Sequence, residues 1–238
     1  MATAGAAGGS NVLRFTGTER ALHWGFAAGY LALLATGLLL MLPPLRASIR
    51  GYTPVVGLRL HLALAALWVL ATAGVAAVGD RRRLAQTRHD LSRWGREDRL
   101  WLRRFPRWLV GSAGERAVID GAVGRFNAGQ KLNAVFTVLT AVGLLATGLL
   151  LWPLGATGLP AAVWLTGPGS VGSWRAAHRW LTLLALAPLA GHVFLAVGHP
   201  ATRPSLRGIL KGHVDRAWAE AHHPRWPAED VNGTRETA

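Results

Sequence analysis

The sequence contains no cysteine. That excludes structural disulfides, cysteine-held iron–sulfur clusters and covalently attached c-type haem, so any redox centre needs other ligands. Charge is scarce as well. Only 16% of residues are charged, against about 25% in an ordinary soluble protein. Acidic residues are the rarest of these, with 12 Asp and Glu against 26 Lys and Arg. The opening MATAGAAGGSNVLRF has no early basic residue followed by an apolar run. It does not read as a secretory signal, and residues 1–12 are expected to form a flexible tail. No repeat of fixed period is evident.

What fills the chain instead is apolar: 51% of the 238 residues are hydrophobic. A membrane-spanning helix needs roughly 20 mostly apolar residues without charge. The charged residues mark out four such stretches, at about 22–43, 60–79, 132–152 and 178–200. The expected fold is therefore all-α, an integral membrane four-helix bundle. Residues 13–215 form its body, and residues 216–238 form a C-terminal tail.

The basic residues give the direction. The second loop carries thirteen Lys and Arg, the first loop three and the third only Arg175 and Arg179. Positive charge accumulates on the cytoplasmic side. The second loop and both termini are then cytoplasmic. The net charge of +14 is accounted for by topology and anionic lipid, and no nucleic-acid partner is expected. Within the second loop, Trp94, Trp101 and Trp108 among the arginines suggest an amphipathic helix at the headgroups.

Nine histidines are present. His89, His213, His222 and His223 lie in polar segments and read as solvated side chains. His23 begins the first span, on the inner side. His61 begins the second and His178 the fourth, both on the outer side. His192 lies fourteen residues beyond His178, roughly 21 Å further along a helix and on nearly the same face. The four imidazoles sort by depth into two pairs, His61 with His178 and His23 with His192. Two levels of two imidazoles suit two six-coordinate b-type haems, because a haem iron offers two axial positions. A metal-ion site would want three or four ligands at one depth, and no acid falls within any span. Packing or proton-relay histidines are the simpler alternative. His199, seven residues after His192 and next to Pro200, competes as the inner ligand or reads as an interfacial residue. Small residues such as Gly25, Gly29, Thr36, Gly37 and Gly191 leave room for a macrocycle, although close helix packing uses them equally.

The stretch RFTGTERALHWGFAAGYLALLATGLLL resembles the opening of the cytochrome b (gamma) subunit of respiratory formate dehydrogenase. RFNAGQK before the third span, the His178–His192 spacing and the tail RAWAEAHHPRW extend that resemblance over nearly the whole chain. The opening alone also fits cytochrome b subunits of nickel–iron hydrogenase or thiosulfate reductase. The resemblance implies a multi-pass protein of the bacterial inner membrane with two haem b groups. His61 and His178 would hold the outer iron, and His23 and His192 the inner. It implies an iron–sulfur beta subunit and a molybdenum- or tungsten-dependent alpha subunit as partners. It also implies a quinone, menaquinone or ubiquinone, contacted by Asn127, Ala128, Gly129, Gln130 and His192.

The chemistry of that segment agrees. Asn127 and Gln130 carry amides able to meet a quinone carbonyl, and Gly129 lets backbone approach closely. Read alone, NAGQK is equally a turn with a helix cap. Formate oxidation is assigned to the partner, and this chain is read as an electron-transfer subunit. The rivals are a hydrogenase or thiosulfate reductase cytochrome b and a haem-free membrane anchor.

Overall fold

The structure, a computed structural model, describes residues 11–154 and 159–226. The outer parts of the two expected tails, 1–10 and 227–238, lie outside the described residues. β1 (Asn11–Leu13) leads into α1 (Gly17–Met41), the short α2 (Pro43–Ala47) and α3 (Pro54–Val78). α4 (Arg81–Ser92), α5 (Arg96–Val110) and α6 (Ala113–Asp120) precede α7 (Ala128–Leu151). A small ribbon of β2 (Pro153–Leu154) and β3 (Leu159–Pro160) is followed by α8 (Ala161–Thr166) and α9 (Val171–Val193). A π-helical turn over Phe194–Gly198, α10 (Leu206–Lys211), β4 (His213–Asp215) and α11 (Arg216–His222) complete it. Four helical segments are long and apolar enough to cross a membrane: α1, α3, α7 and the 168–198 segment containing α9. Their outward rows, such as Leu67, Leu70, Leu139 and Trp180, are each more than 60% exposed. Such rows are what a bilayer solvates and water does not. The protein is an all-α membrane helical bundle.

The helices begin earlier than the expected spans, because their caps carry polar and charged residues. α1 starts at a reciprocal cap: Thr16 N–H donates to Glu19 at 2.8 Å, and Glu19 N–H donates to Thr16 Oγ1 at 3.4 Å. α7 starts the same way. Asn127 Oδ1 accepts from Gln130 N–H at 2.9 Å, and Gln130 Oε1 accepts from Asn127 N–H at 3.0 Å. Each pair satisfies donors that the first helical turn leaves orphaned. α1 stops at Met41 ahead of Pro43 and Pro44, which cannot extend it.

The chain divides into two compact units. The first comprises residues 1–23, 75–132 and 194–238, and the second residues 24–74 and 133–193. In the first unit β1 pairs antiparallel with β4, Val12 opposite Val214. Residues 11 and 12, expected in a flexible tail, are thus in a strand. Residues 216–222, expected in the other tail, form α11. The physical cause is burial: Val12, Val214, Ala219 and Trp226 share one apolar cluster. A second cluster in this unit joins Trp101, Trp108, Val123 and Ala128.

Three helices, α4 to α6, occupy the second loop where one surface helix was expected. Trp94 remains exposed, but Trp101 and Trp108 are buried at 4% and 2% exposure. Both indoles donate to Asp120 Oδ1 at 2.9 Å. A carboxylate that anchors two indole N–H groups draws the rings into the protein interior.

A two-copy repeat links the starts of α1 and α7 at a spacing of 111 residues. Val12, Arg14 and Phe15 correspond to Val123, Arg125 and Phe126, and LLATGLLL occurs at 33–40 and again at 144–151. The two caps, Thr16–Glu19 and Asn127–Gln130, fall in register with it. In the first unit the paired copies meet. Arg125 Nη2 donates to Arg14 O at 2.7 Å, and Arg14 Nη2 donates to Arg125 O at 3.4 Å. The rings of Phe15 and Phe126 lie 6.2 Å apart.

Candidate functional site

In the second unit, α3 and α9 bring His61 and His178 together. Their ring centroids are 6.5 Å apart and their planes cross at 81°. Two axial imidazole–metal bonds of about 2.0 Å, with about 1.1 Å more from each nitrogen to its ring centre, would separate two rings by about 6 Å. The observed pair fits the axial ligands of one haem. Among the described residues no group of three or more His, Cys, Asp or Glu forms a metal-ion site, so this site is a pair of imidazoles.

Each ring is held from the neighbouring helix. Thr36 Oγ1 on α1 lies 2.8 Å from His61 Nδ1, and Thr147 Oγ1 on α7 lies 2.8 Å from His178 Nδ1. The next residue in each helix is a glycine. A Cβ built on Gly37 or on Gly148 would lie 3.6 Å from Cε1 of His61 or His178 respectively. Bare backbone therefore faces each imidazole edge.

His23 sits in α1 within the first unit, and His192 near the end of α9 within the second. The amide segment opens α7 in the first unit. Its cap uses the side-chain oxygens of Asn127 and Gln130, leaving the two NH2 groups as the amides' other hydrogen-bonding ends. NAGQK is thus a helix cap in fact. Ala128 is buried at the start of the helix, and Gly129 lies against the Trp101 ring. Asn127 and Gln130 border a small pocket with Asp120, Thr202, His222 and His223, with about 10 Å³ of interior space. That is room for a single water.

Three further histidines lie in the first unit. His199 is buried. Its ring stacks on Trp108 with centroids 5.2 Å apart, and its Nε2 donates to Leu109 O at 3.1 Å. Of the two histidines expected to be solvated, His223 is buried and His222 is partly buried. His222 Nδ1 lies 3.0 Å from Asp120 Oδ2. His223 is fully enclosed, with Nδ1 donating to Gly124 O at 2.8 Å and Nε2 accepting from Arg14 Nη2 at 3.1 Å. Burial, then the Arg14 charge, holds this imidazole well below its ordinary value of 6.5, so it is neutral. Burial also brings Arg14 down to about 9, with Arg125 adding to the effect. Arg14 is still a cation at neutral pH, and the rings of Phe15, Trp218 and Trp226 surround it. Arg125 pairs with Glu19 at 2.5 Å and with Thr87 Oγ1 at 2.8 Å.

Sequence reasoning listed Thr36 and Gly37 only as small residues, and missed Thr147 and Gly148. The doubled LLATGLLL was the signal that would have found them. Nothing in spacing alone would have joined Asp120 to His222 or Arg14 to His223.

Residues 14–212 match the family described as prokaryotic cytochrome b561. The nitrate-inducible formate dehydrogenase cytochrome b556(Fdn) subunit of Escherichia coli K12 is 27% identical over 222 residues, covering 92% of this chain and 91% of that protein. The formate dehydrogenase cytochrome b556(fdo) subunit of the same organism is 25% identical over 230 residues, covering 95% and 97%. The formate dehydrogenase cytochrome b556 subunit of Haemophilus influenzae is 30% identical over 133 residues, about half of each chain. With four helices fit to cross a membrane and a family match over most of its length, the chain belongs to the prokaryotic cytochrome b561 family.

Proposed function

We propose that this chain is the membrane cytochrome b subunit of a formate dehydrogenase complex in the bacterial inner membrane. It passes electrons from an iron–sulfur beta subunit through two b haems to membrane quinone, while a molybdenum- or tungsten-dependent alpha subunit oxidises formate. His61 and His178 hold the outer haem, and His23 and His192 the inner. The haems supply reversible one-electron chemistry of iron when bound. The observation that carries this reading is the His61–His178 pair, spaced 6.5 Å apart between two threonine-bearing helices. Similarity to formate dehydrogenase subunits over 92% of the chain supports the choice of complex.

The chain's own task is to orient imidazoles and to shape the quinone site. The NH2 groups of Asn127 and Gln130 donate to a quinone carbonyl, with Ala128, Gly129 and His192 completing the contact. Both termini are cytoplasmic, so protons for quinone reduction come from that side. The test is an absorption spectrum and redox titration of the purified membrane protein. The wild type is expected to show two b-type haems. His61→Ala and His178→Ala should each remove the same one, and His23→Ala and His192→Ala the other. A wild type without a reduced b-type band overturns the reading. An inner haem that survives His192→Ala and is lost in His199→Ala overturns the assignment of His192.

A further inference from the structure

The two contacts at the His61–His178 pair are copies of one another. Thr36 is the twentieth residue of α1 (Gly17–Met41), and Thr147 is the twentieth of α7 (Ala128–Leu151). His61 is the eighth of α3 (Pro54–Val78), and His178 the eighth of α9 (Val171–Val193). Both hydroxyls lie 2.8 Å from an Nδ1 atom. Both sit in the repeated LLATGLLL, and both precede a glycine that faces the imidazole edge. Packing alone does not require a hydroxyl twice at the same place.

The direction of these hydrogen bonds follows from counting hydrogens. A threonine hydroxyl has one. Thr36 Oγ1 reaches Ala32 O at 2.9 Å and Leu33 O at 3.2 Å. Thr147 Oγ1 reaches Gly143 O at 2.7 Å and Leu144 O at 3.2 Å. Each hydroxyl spends its hydrogen on a carbonyl of the preceding turn and offers only lone pairs to the ring. An imidazole that ligates a metal through Nε2 carries its proton on Nδ1 and is then the donor to that lone pair. That tautomer leaves Nε2 with its lone pair available to a metal.

We infer that Thr36 and Thr147 are matched positioning residues. Each accepts the Nδ1 proton of one axial histidine, fixing its tautomer and raising its basicity toward a ferric iron. The inference rests on the proposed haem ligation by His61 and His178. Outer partners of this kind orient metal-bound histidines, and their loss weakens metal affinity by about 10–100-fold. A less basic ligand favours ferrous over ferric iron, so removing either threonine raises the midpoint potential of this haem. Both removals should act in the same direction, with the smaller shift at Thr147, because the Leu144 carbonyl also faces His178.

The experiment uses the purified membrane protein with its haems, titrated potentiometrically and examined by low-spin EPR. Thr36→Val and Thr147→Val keep the shape and remove the acceptor. Each is expected to raise the outer-haem potential and shift its EPR g values. A tenfold loss of preference for ferric iron reads as about 59 mV for one electron. Thr36→Ser and Thr147→Ser restore an acceptor and should return both readouts toward wild type. Thr140 is the control: buried in α7, it back-bonds to Phe136 O at 2.9 Å. Thr140→Val should move neither readout. Valine variants that retain haem with wild-type potential and g values overturn the inference, as does a Thr140→Val shift of equal size. If either valine variant fails to hold haem, the serine variants decide: restored haem and potential support the role, and haem lost again overturns it. A wild type with no haem that depends on His61 and His178 sinks the ligation reading itself, a distinct result.

Discussion

His223 lies between a cation and a carbonyl, and that position fixes its protonation. Nδ1–H serves Gly124 O, so Nε2 has only a lone pair for Arg14. A second proton would place two positive charges in contact away from water. The sign of the pH dependence follows. In the unfolded chain His223 takes up a proton as pH falls below about 6.5, whereas in the folded protein its value is well below that. The unfolded state then binds more protons, and stability declines with acidity at up to about 1.4 kcal/mol per pH unit. Thermal unfolding of the purified protein should fall measurably from pH 7 to pH 5, with a shallower slope in His223→Gln. Equal slopes would show that this imidazole is not the buried base described here. Asp120 makes a second residue-scale case. It gathers Trp101, Trp108 and His222 on one carboxylate. Asp120→Ala strands two buried indole donors, and a loss of about 3 kcal/mol is expected by denaturant titration.

The Asn127–Gln130 element carries two roles that a choice of substitution separates. As a cap, Asn127 contributes about 1 kcal/mol through its acceptor oxygen, and serine serves as well there. As a quinone contact it would act through its NH2 group, which serine lacks. Asn127→Ser should therefore leave the melting temperature and both haems nearly unchanged while slowing quinone reduction at least tenfold. Asn127→Ser with undiminished quinone reduction would reduce the segment to a cap. At this scale the spans were legible from charge and hydropathy, because lipid demands uninterrupted apolar helices. Their first turns were not. A rule that stops at charge discards Glu19, Arg59 and Lys131, which the helices include.

For the molecule as a whole, the sequence exposed what depends on local order and hid what depends on folding back. The four apolar segments, and the histidines fit to be ligands, stand out along the chain. The joining of His61 to His178 followed from depth, since both begin a helix on the same side. Along the chain Trp101, Trp108 and His223 read as lipid- or solvent-facing, because nothing in local spacing joins them to Asp120, Arg14 and Gly124. The repeat is faint along the chain because the 111-residue spacing preserves few residues. It keeps the arginine–phenylalanine pair, the cap and the threonine–glycine step, and changes most of the rest. His23 itself corresponds to Ala134. The symmetric part of the design therefore covers the His61–His178 pair and not His23.

Arg14 is enclosed by Trp218 and Trp226, and its strand closes against residues 213–215. Residues 12–14 thus complete their surroundings with residues made about 200 positions later. During synthesis Arg14 cannot be enclosed until residues 213–226 have been made, by which time the apolar spans have entered lipid. Completion of the first unit then waits on that late segment. A nascent chain halted at residue 211 should leave Arg14 open to trypsin, and release of the full chain should close that cut.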